Sequence, residues 1–323
     1  MKSKCLLKTA SLSVACFVTL LLVWGIGIEP RWLEIKEETA ELPNLPQSWE
    51  GKRIALFADL QVGMWLDNTD AVRSAVEHVI AARPAAALIA GDFVYNPTDD
   101  EKGETEREEF LEVDEEIIEA VALVRPLVEA GIPTYAVLGN HDYGMMTREY
   151  VKNDYLARRL SEQLSTAGVR LLDNVAAQIA SPSSGDSTNG NQNPSEALYV
   201  VGIGDKWAHN DRVGVALAQV PDDAARIALM HNPDSFSDFP PHAASLALAG
   251  HTHGGQLRLP FLPDWSWMSL VQENAVYADG WITDFGFAGN HLYVNRGIGF
   301  SNFPVRINCR PELTFFTLRR ATR

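Results

Sequence analysis

Five short apolar runs, each halted by a polar residue able to bind a metal ion, constrain this chain more than any other feature. The runs lie at residues 54–58, 85–90, 134–138, 226–230 and 245–249. Runs of this length bounded by turn residues predict buried strands. They stop at Asp59, Asp92, Asn140, His231, and His251 with His253. Between the first two, residues 69–82 carry Val72, Val76, Val79 and Ile80 at helical spacing and end before Pro84. Residues 115–130 and 150–167 also have helical patterns, the former predicted to break or bend near Pro126. Strands are further predicted at 169–172, 198–203, 291–294 and 313–318. Alternating strands and helices predict an α/β layered fold, made less purely parallel by the late hairpin-like strands. Open α/β sheets place ligands at the carboxyl ends of their strands, where these polar residues fall.

The densest of these ends is Gly250–His251–Thr252–His253–Gly254–Gly255. On an extended backbone His251 and His253 would share a face. Carboxylate, amide oxygen and imidazole together suit Mn, Fe, Zn or a mixed pair. Two ions about 3.5–4 Å apart can clamp the attacking and leaving oxygens of a phosphoryl centre. One carboxylate would bridge them most simply, and Asp92, after Gly91, is the best placed. Each residue has a plainer reading alone: Asp59 as a turn cap, Asp92 as a helix cap, Asn140 in a left-handed turn, His231 as a satisfied core histidine. Together they resist that reading, because burying so many polar groups without a common partner is costly.

Charge and hydropathy place the chain at a membrane. The net charge is −15, while residues 1–30 hold three lysines and one glutamate, so the remainder carries −17. Such an acidic body argues against nucleic acid as a partner. Residues 9–28 are 20 residues without a charge, about the ~20 that span a bilayer as a helix. Lysines precede this run, which predicts a cytoplasmic N-terminus and an extracytoplasmic body. The run exceeds a signal-peptide core and lacks a small-x-small exit, so an uncleaved single-pass anchor is predicted. The organisation read from this is an anchor at 1–30, a linker at 31–50 with Pro43 and Pro46, and a catalytic domain at 51–323. The acids of residues 99–119 read as a solvated loop and helix face, and the Ser, Gly and Asn of 181–196 as a flexible loop. Cys309 is the body's single cysteine, so no disulfide forms within it.

The ordered set Asp59–Leu60–Gln61, Gly91–Asp92, Gly139–Asn140–His141–Asp142, His231 and Gly250–His251–Thr252–His253 resembles the calcineurin-like metallophosphoesterase superfamily, from roughly Arg53 onward. Gly254–Gly255–Gln256, the tail Asn295–Arg296–Gly297–Ile298–Gly299, and Pro304–Val305–Arg306 resemble its membrane-anchored branch, which includes proteins similar to UDP-diacylglucosamine hydrolases. The resemblance implies a four-layered α/β/β/α sandwich. It implies one metal on Asp59, Asp92 and His253, and a second on Asp92, Asn140, His231 and His251. It implies a bridging hydroxide attacking phosphorus, with His141 stabilising the transition state or protonating the leaving oxygen. The pattern is broken once. The family has histidine where this chain has Gln61, whose carbonyl can ligate a hard cation but is a neutral, weaker donor.

The expected function is that of a membrane-anchored dimetal phosphoesterase, a phosphodiesterase acting on a lipid head group or nucleotide-linked lipid. Its partners would be membrane lipid, through the N-terminal helix, and the phosphoester. Topology favours a phospholipid or envelope-polymer diester over a cytoplasmic nucleotide-lipid. Trp65, Trp207, His209 and Arg296 are candidates for substrate recognition. The alternatives are a tethered binding module that has lost one metal site, with Gln61 as the lesion, and a small-nucleotide phosphodiesterase. The otherwise complete ligand set favours the enzyme.

Overall fold

A computed structural model describes residues 2–95, 106–179, 197–262, 265–270 and 277–321. The acidic stretch at 96–105 and the loop at 181–196 lie outside the described residues. Helix α1 covers Lys2–Leu22 and continues through a π-helical turn, Val23–Ile28, and a 3-10 turn, Glu29–Arg31. This N-terminal helical segment is long and apolar enough to cross a membrane, and little of it is buried in the protein.

Next come strands β1 (Glu34–Leu42) and β2 (Arg53–Phe57), then α2 (Thr69–Ala82) and β3 (Ala86–Ala90). After α3 (Glu106–Glu129) the chain forms β4 (Thr134–Val137), α4 (Asp154–Thr166) and β5 (Arg170–Leu171). The second half supplies β6 (Ala176–Ile179), β7 (Leu198–Gly202), the short α5 (Val213–Leu217), β8 (Ala225–Leu229) and β9 (Ala247–Ala249). It closes with β10 (Gly280–Ile282), β11 (Leu292–Val294) and β12 (Glu312–Arg320).

Two six-stranded sheets result, ordered β1-β12-β2-β3-β4-β5 and β10-β11-β9-β8-β7-β6. Strands β2 to β5 and β7, β8, β9 and β11 run parallel, while β12 lies antiparallel to β2, and β10 and β6 flank the second sheet antiparallel. Leu56, Leu88 and Val137 of one sheet face Val200, Leu229 and Leu248 of the other in a core between the sheets. The outer face of the first sheet packs on α2, α3 and α4. The outer face of the second is covered by α5 and a short 3-10 segment, Pro233–Asp238. This is the α/β/β/α sandwich.

The structure departs from the expectations in three places. The stretch 31–50, predicted as a linker, holds β1, which pairs parallel with β12 over nine residues. Five of the nine residues of β1 are charged, which reads as solvated chain but suits an edge strand guarded against further pairing. Helix α3 runs through Pro126 and ends about one turn later. Gly131 turns the chain there at φ 76°. The backbone after β9 leaves the extended conformation at once: His251 and His253 have φ of 75° and 50°, so the two rings do not share a strand face.

Candidate metal centre

Asp59, Asp92 and Asn140 follow the carboxyl ends of β2, β3 and β4, and His231 and His251 follow those of β8 and β9. Both sheets therefore present polar residues at one edge of the sandwich. Sharp turns there redirect the side chains: Asp59, Gln61 and Asp92 have φ of 53°, 52° and 57°, a region that L-residues adopt only at some cost. Glycine is required beside them. A Cβ at Gly139 would lie 2.2 Å from Asp92 Oδ1, and one at Gly297 2.4 Å from Asp59 Oδ2. All the candidate ligands except the partly exposed His251 are buried.

One half of the centre gathers on His231. Its Nδ1–H donates to Ala90 O at 2.7 Å, which leaves Nε2 pointing inward. Nε2 lies 3.3 Å from Asp92 Oδ2, 3.1 Å from Asn140 Oδ1 and 3.1 Å from His251 Nδ1. Asn140 is fixed in this orientation because its Nδ2 donates to Met145 O at 2.6 Å. An Nε2 proton serves these partners one at a time, whereas a cation serves all of them.

The other half gathers ligand atoms of Asp59, Asp92 and His253 within 4.8 Å of one another. His253 Nε2 lies 3.6 Å from Asp59 Oδ1, and the His251 backbone N–H holds that carboxylate at 3.1 Å. Gln61 Nε2 donates to Asp92 Oδ2 at 2.8 Å, while its Oε1 is buried without a partner among the described residues. An orphaned amide oxygen beside two carboxylates and an imidazole is a donor set that fits a divalent cation.

Electrostatics tell the same story. Burial pushes Asp59 up to about 7, aided by the Asp92 charge and opposed by His231. Burial also penalises Asp92, yet His231 and His141 hold it well below the usual carboxylate range. For His231, burial disfavours the charge, but Asp92 overrides it and raises the ring to about 10. Burial and the His231 charge press His251 down to about 3. Burial and Arg306 keep His253 well below its ordinary value. Two carboxylates and three imidazoles thus compete for protons in one dry place.

His141 backs onto this cluster. Its backbone N–H donates to Asp92 Oδ1 at 3.0 Å, its Nδ1 meets Tyr95 O at 2.8 Å, and its ring stacks on Tyr95. A cleft of about 160 Å³ opens over Asp92, Asn140, His141, His251 and His253.

With this geometry in view, comparison with known proteins is direct. Residues 52–255 match the family described as calcineurin-like phosphoesterase. The chain belongs to the calcineurin-like phosphoesterase family. The phosphodiesterase YaeI of Escherichia coli is 30% identical over 291 residues, covering 90% of each chain. UDP-2,3-diacylglucosamine pyrophosphatase LpxG of Chlamydia trachomatis is 24% identical, over 90% of this chain and 91% of its own. The transmembrane protein with metallophosphoesterase domain of Danio rerio is 24% identical, over 95% of this chain and 62% of its own. As a calcineurin-like phosphoesterase the chain is a metal-dependent phosphoester hydrolase.

The candidates for substrate recognition separate. Trp207 lines the cleft, its ring 4.6 Å from that of His251. His209 is exposed and is not among the residues lining the cleft. Trp65 is 66% exposed. Arg296 is buried and spent on carboxylates, pairing with Glu34 and, at 2.8 Å, with Glu312. It lines a neighbouring cavity instead. An interior cation whose partners lie far away in sequence cannot be told from a substrate contact by its residue type.

Two residues that hold the centre together carried no assigned role. Asp142 accepts backbone N–H bonds from Asp92, Phe93, Val94 and Gly139 at 2.7–3.2 Å. Burial and the Asp92 charge push its carboxyl up, and the amide donors oppose them. Arg306, fully buried, donates to the carbonyls of His253, Arg296, Gly297, Gly299 and Cys309. The Gly139–Asp142 spacing and a basic residue in an apolar tail were the available signals.

Proposed function

We propose that this family member is a membrane-tethered phosphodiesterase whose centre takes two divalent cations. Asp59, Gln61, Asp92 and His253 would hold one, and Asp92, Asn140, His231 and His251 the other. The observation that carries this reading is the convergence on His231: Nδ1 is committed to Ala90 O, and Nε2 faces a carboxylate, an amide oxygen and an imidazole within 3.3 Å. When bound, such cations supply Lewis acidity at a phosphoryl oxygen and activate water.

The chain's own residues supply orientation and proton handling. Asp142 fixes the turns that aim Asp92 and Asn140, and Ala90 O fixes the His231 ring. His141 donates Nδ1–H to Tyr95 O, which leaves Nε2 to exchange a proton at the leaving oxygen. Trp207 forms an apolar wall beside His251. A phosphate substituted on two sides is supported by two relatives, one named a phosphodiesterase and the other a UDP-2,3-diacylglucosamine pyrophosphatase, whose name implies a phosphorus with an ester on one side and an anhydride on the other. The membrane-spanning helix and the transmembrane relative support a lipid substrate. The preceding lysines support a cytoplasmic N-terminus with the catalytic body outside.

The test is metal content and hydrolysis measured together on the full chain in detergent, loaded with Mn, Zn, Fe or Mg and offered a chromogenic phosphomonoester and diester. Metal-dependent turnover that prefers the diester and falls at least about a hundredfold in Asn140→Ala is the expected result. A monoester preference would make the enzyme a phosphatase. Absence of both tight metal and turnover would leave a tethered binding module.

A further inference from the structure

The anchor does not hang from the body on a flexible tether. Arg306 N–H donates to Gly25 O at 2.9 Å, Asn68 Nδ2 to Pro30 O at 2.6 Å, and the Cys309 N–H to the buried Glu29 carboxylate. A Cβ at Gly25 would meet Ile307 Cγ1 at 2.9 Å. The same Arg306 and Cys309 also bond the His253 carbonyl. The end of the membrane helix is thus fastened to the loops that shape the metal centre.

A cavity of about 980 Å³ lies against this junction. One wall is the membrane helix itself, with Phe17, Leu21 and Trp24. Leu257, Leu259 and Pro260, far away in sequence, line it too. Beyond Pro260 the chain tip is openly apolar, with Phe261 98% exposed and Leu262 53% exposed. Exposed aromatic and aliphatic side chains beside a membrane helix mark a surface that meets lipid. Arg258, Arg296 and Arg310 line it beside Glu29 and Glu34, with Arg258 paired to Asp279 at 2.6 Å and Arg310 to Glu34 at 2.8 Å. Trp267 lines both this cavity and the metal cleft.

We propose that this cavity binds the acyl portion of a membrane lipid, whose phosphate is directed past Trp267 toward the metal centre. A cavity walled by a helix that sits in hydrocarbon opens onto hydrocarbon, and Leu257, Leu259, Pro260 and Trp265 make the rest of its lining largely apolar. This rests on the membrane reading above and adds to it the site where the lipid leaves the leaflet.

The test uses the full chain in vesicles of phosphatidylethanolamine and phosphatidylglycerol that contain a phospholipid with a photoactivatable diazirine in its acyl chain. After irradiation, adducts are mapped by peptide mass spectrometry. Adducts are expected on α1 and also on residues 257–260 and 265–267. Leu259→Trp and Phe17→Trp both narrow the cavity. Each is expected to lower adducts on residues 257–267 at least fivefold relative to those on residues 9–16, with a melting temperature near that of the unmodified chain. Adducts on α1 alone, or yields unmoved by either folded variant, would overturn the lipid site and leave the anchor standing. Absence of adducts from α1 itself would overturn the membrane reading instead.

Discussion

The two halves of the metal centre are built to different standards. Around His231 each polar atom has its orientation fixed by the backbone: Ala90 O holds the ring, and Met145 O holds the Asn140 amide. Around Gln61, among the described residues, the amide is held only by the carboxylate it would share with a cation, and its oxygen has no partner. A ligand whose other end is anchored is already aimed, so binding costs little reorganisation. Gln61 must give up its bond to Asp92 or turn over before Oε1 can ligate. The half around His231 should therefore bind first and tightest, and the half around Gln61 should set the metal requirement.

The largest effect expected is at Asp142. Its carboxylate ties the amides of residues 92–94 to that of Gly139 and so fixes the turns carrying Asp92 and Asn140. Asp142→Asn replaces one acceptor oxygen with a donor that faces N–H groups. A buried hydrogen-bond network broken this way costs about 3 kcal/mol, measured by chemical denaturation of the metal-free chain. The cation on His231 should be lost before the other, because Asn140 and His141 both follow Gly139. Equal loss from both halves would mean that Asp142 holds them as one unit.

Protons offer a second, finer separation. In the metal-free centre His231 keeps a proton up to about pH 10, and Asp59 up to about pH 7. His251 is pressed down to about 3 and His253 well below its ordinary value, so both are neutral already and release nothing. A cation on the His231 half displaces one proton, so its apparent affinity should rise about tenfold per pH unit between 7 and 10. On the Gln61 half the affinity should climb up to about pH 7 and then level off. Titration calorimetry in buffers of different ionisation enthalpy reads the released protons directly. The same pH slope for both halves would contradict the assignment.

The anchored half was also the legible half. Strands β2, β3, β4 and β8 and helix α2 lie where apolar runs and helical spacing predict them, because each is buried on both faces or along one stripe. Edge strands gave no such contrast. The charges of β1 imitate a linker, and β6 and β10, four and three residues long, are too short to show alternation. The His-x-His spacing suggested an extended strand, but left-handed turns at both histidines send one ring to His231 and the other to Asp59. Asp142 stayed unassigned because its partners are backbone amides, which leave no mark on sequence. The attachment of the N-terminal helical segment through Gly25 and Glu29 was hidden for the same reason: the contacts join positions about 280 residues apart.

The smallest effect expected is the most specific. Gln61→His puts an imidazole where a neutral amide now hydrogen-bonds Asp92. Imidazole is the better donor for zinc or iron, and the substitution removes the bond that a cation must displace. Affinity of the Gln61 half for a transition metal should increase by about tenfold at most, since the new ring gains a ligand bond but leaves Asp92 with one donor fewer. The His231 half should not change. Competition between Mg and Zn, followed by metal analysis at each ratio, reads the shift as a change of preferred ion. If both halves respond equally, Gln61 acts on Asp92 alone, and the asymmetry lies in that shared carboxylate rather than in two separately built sites.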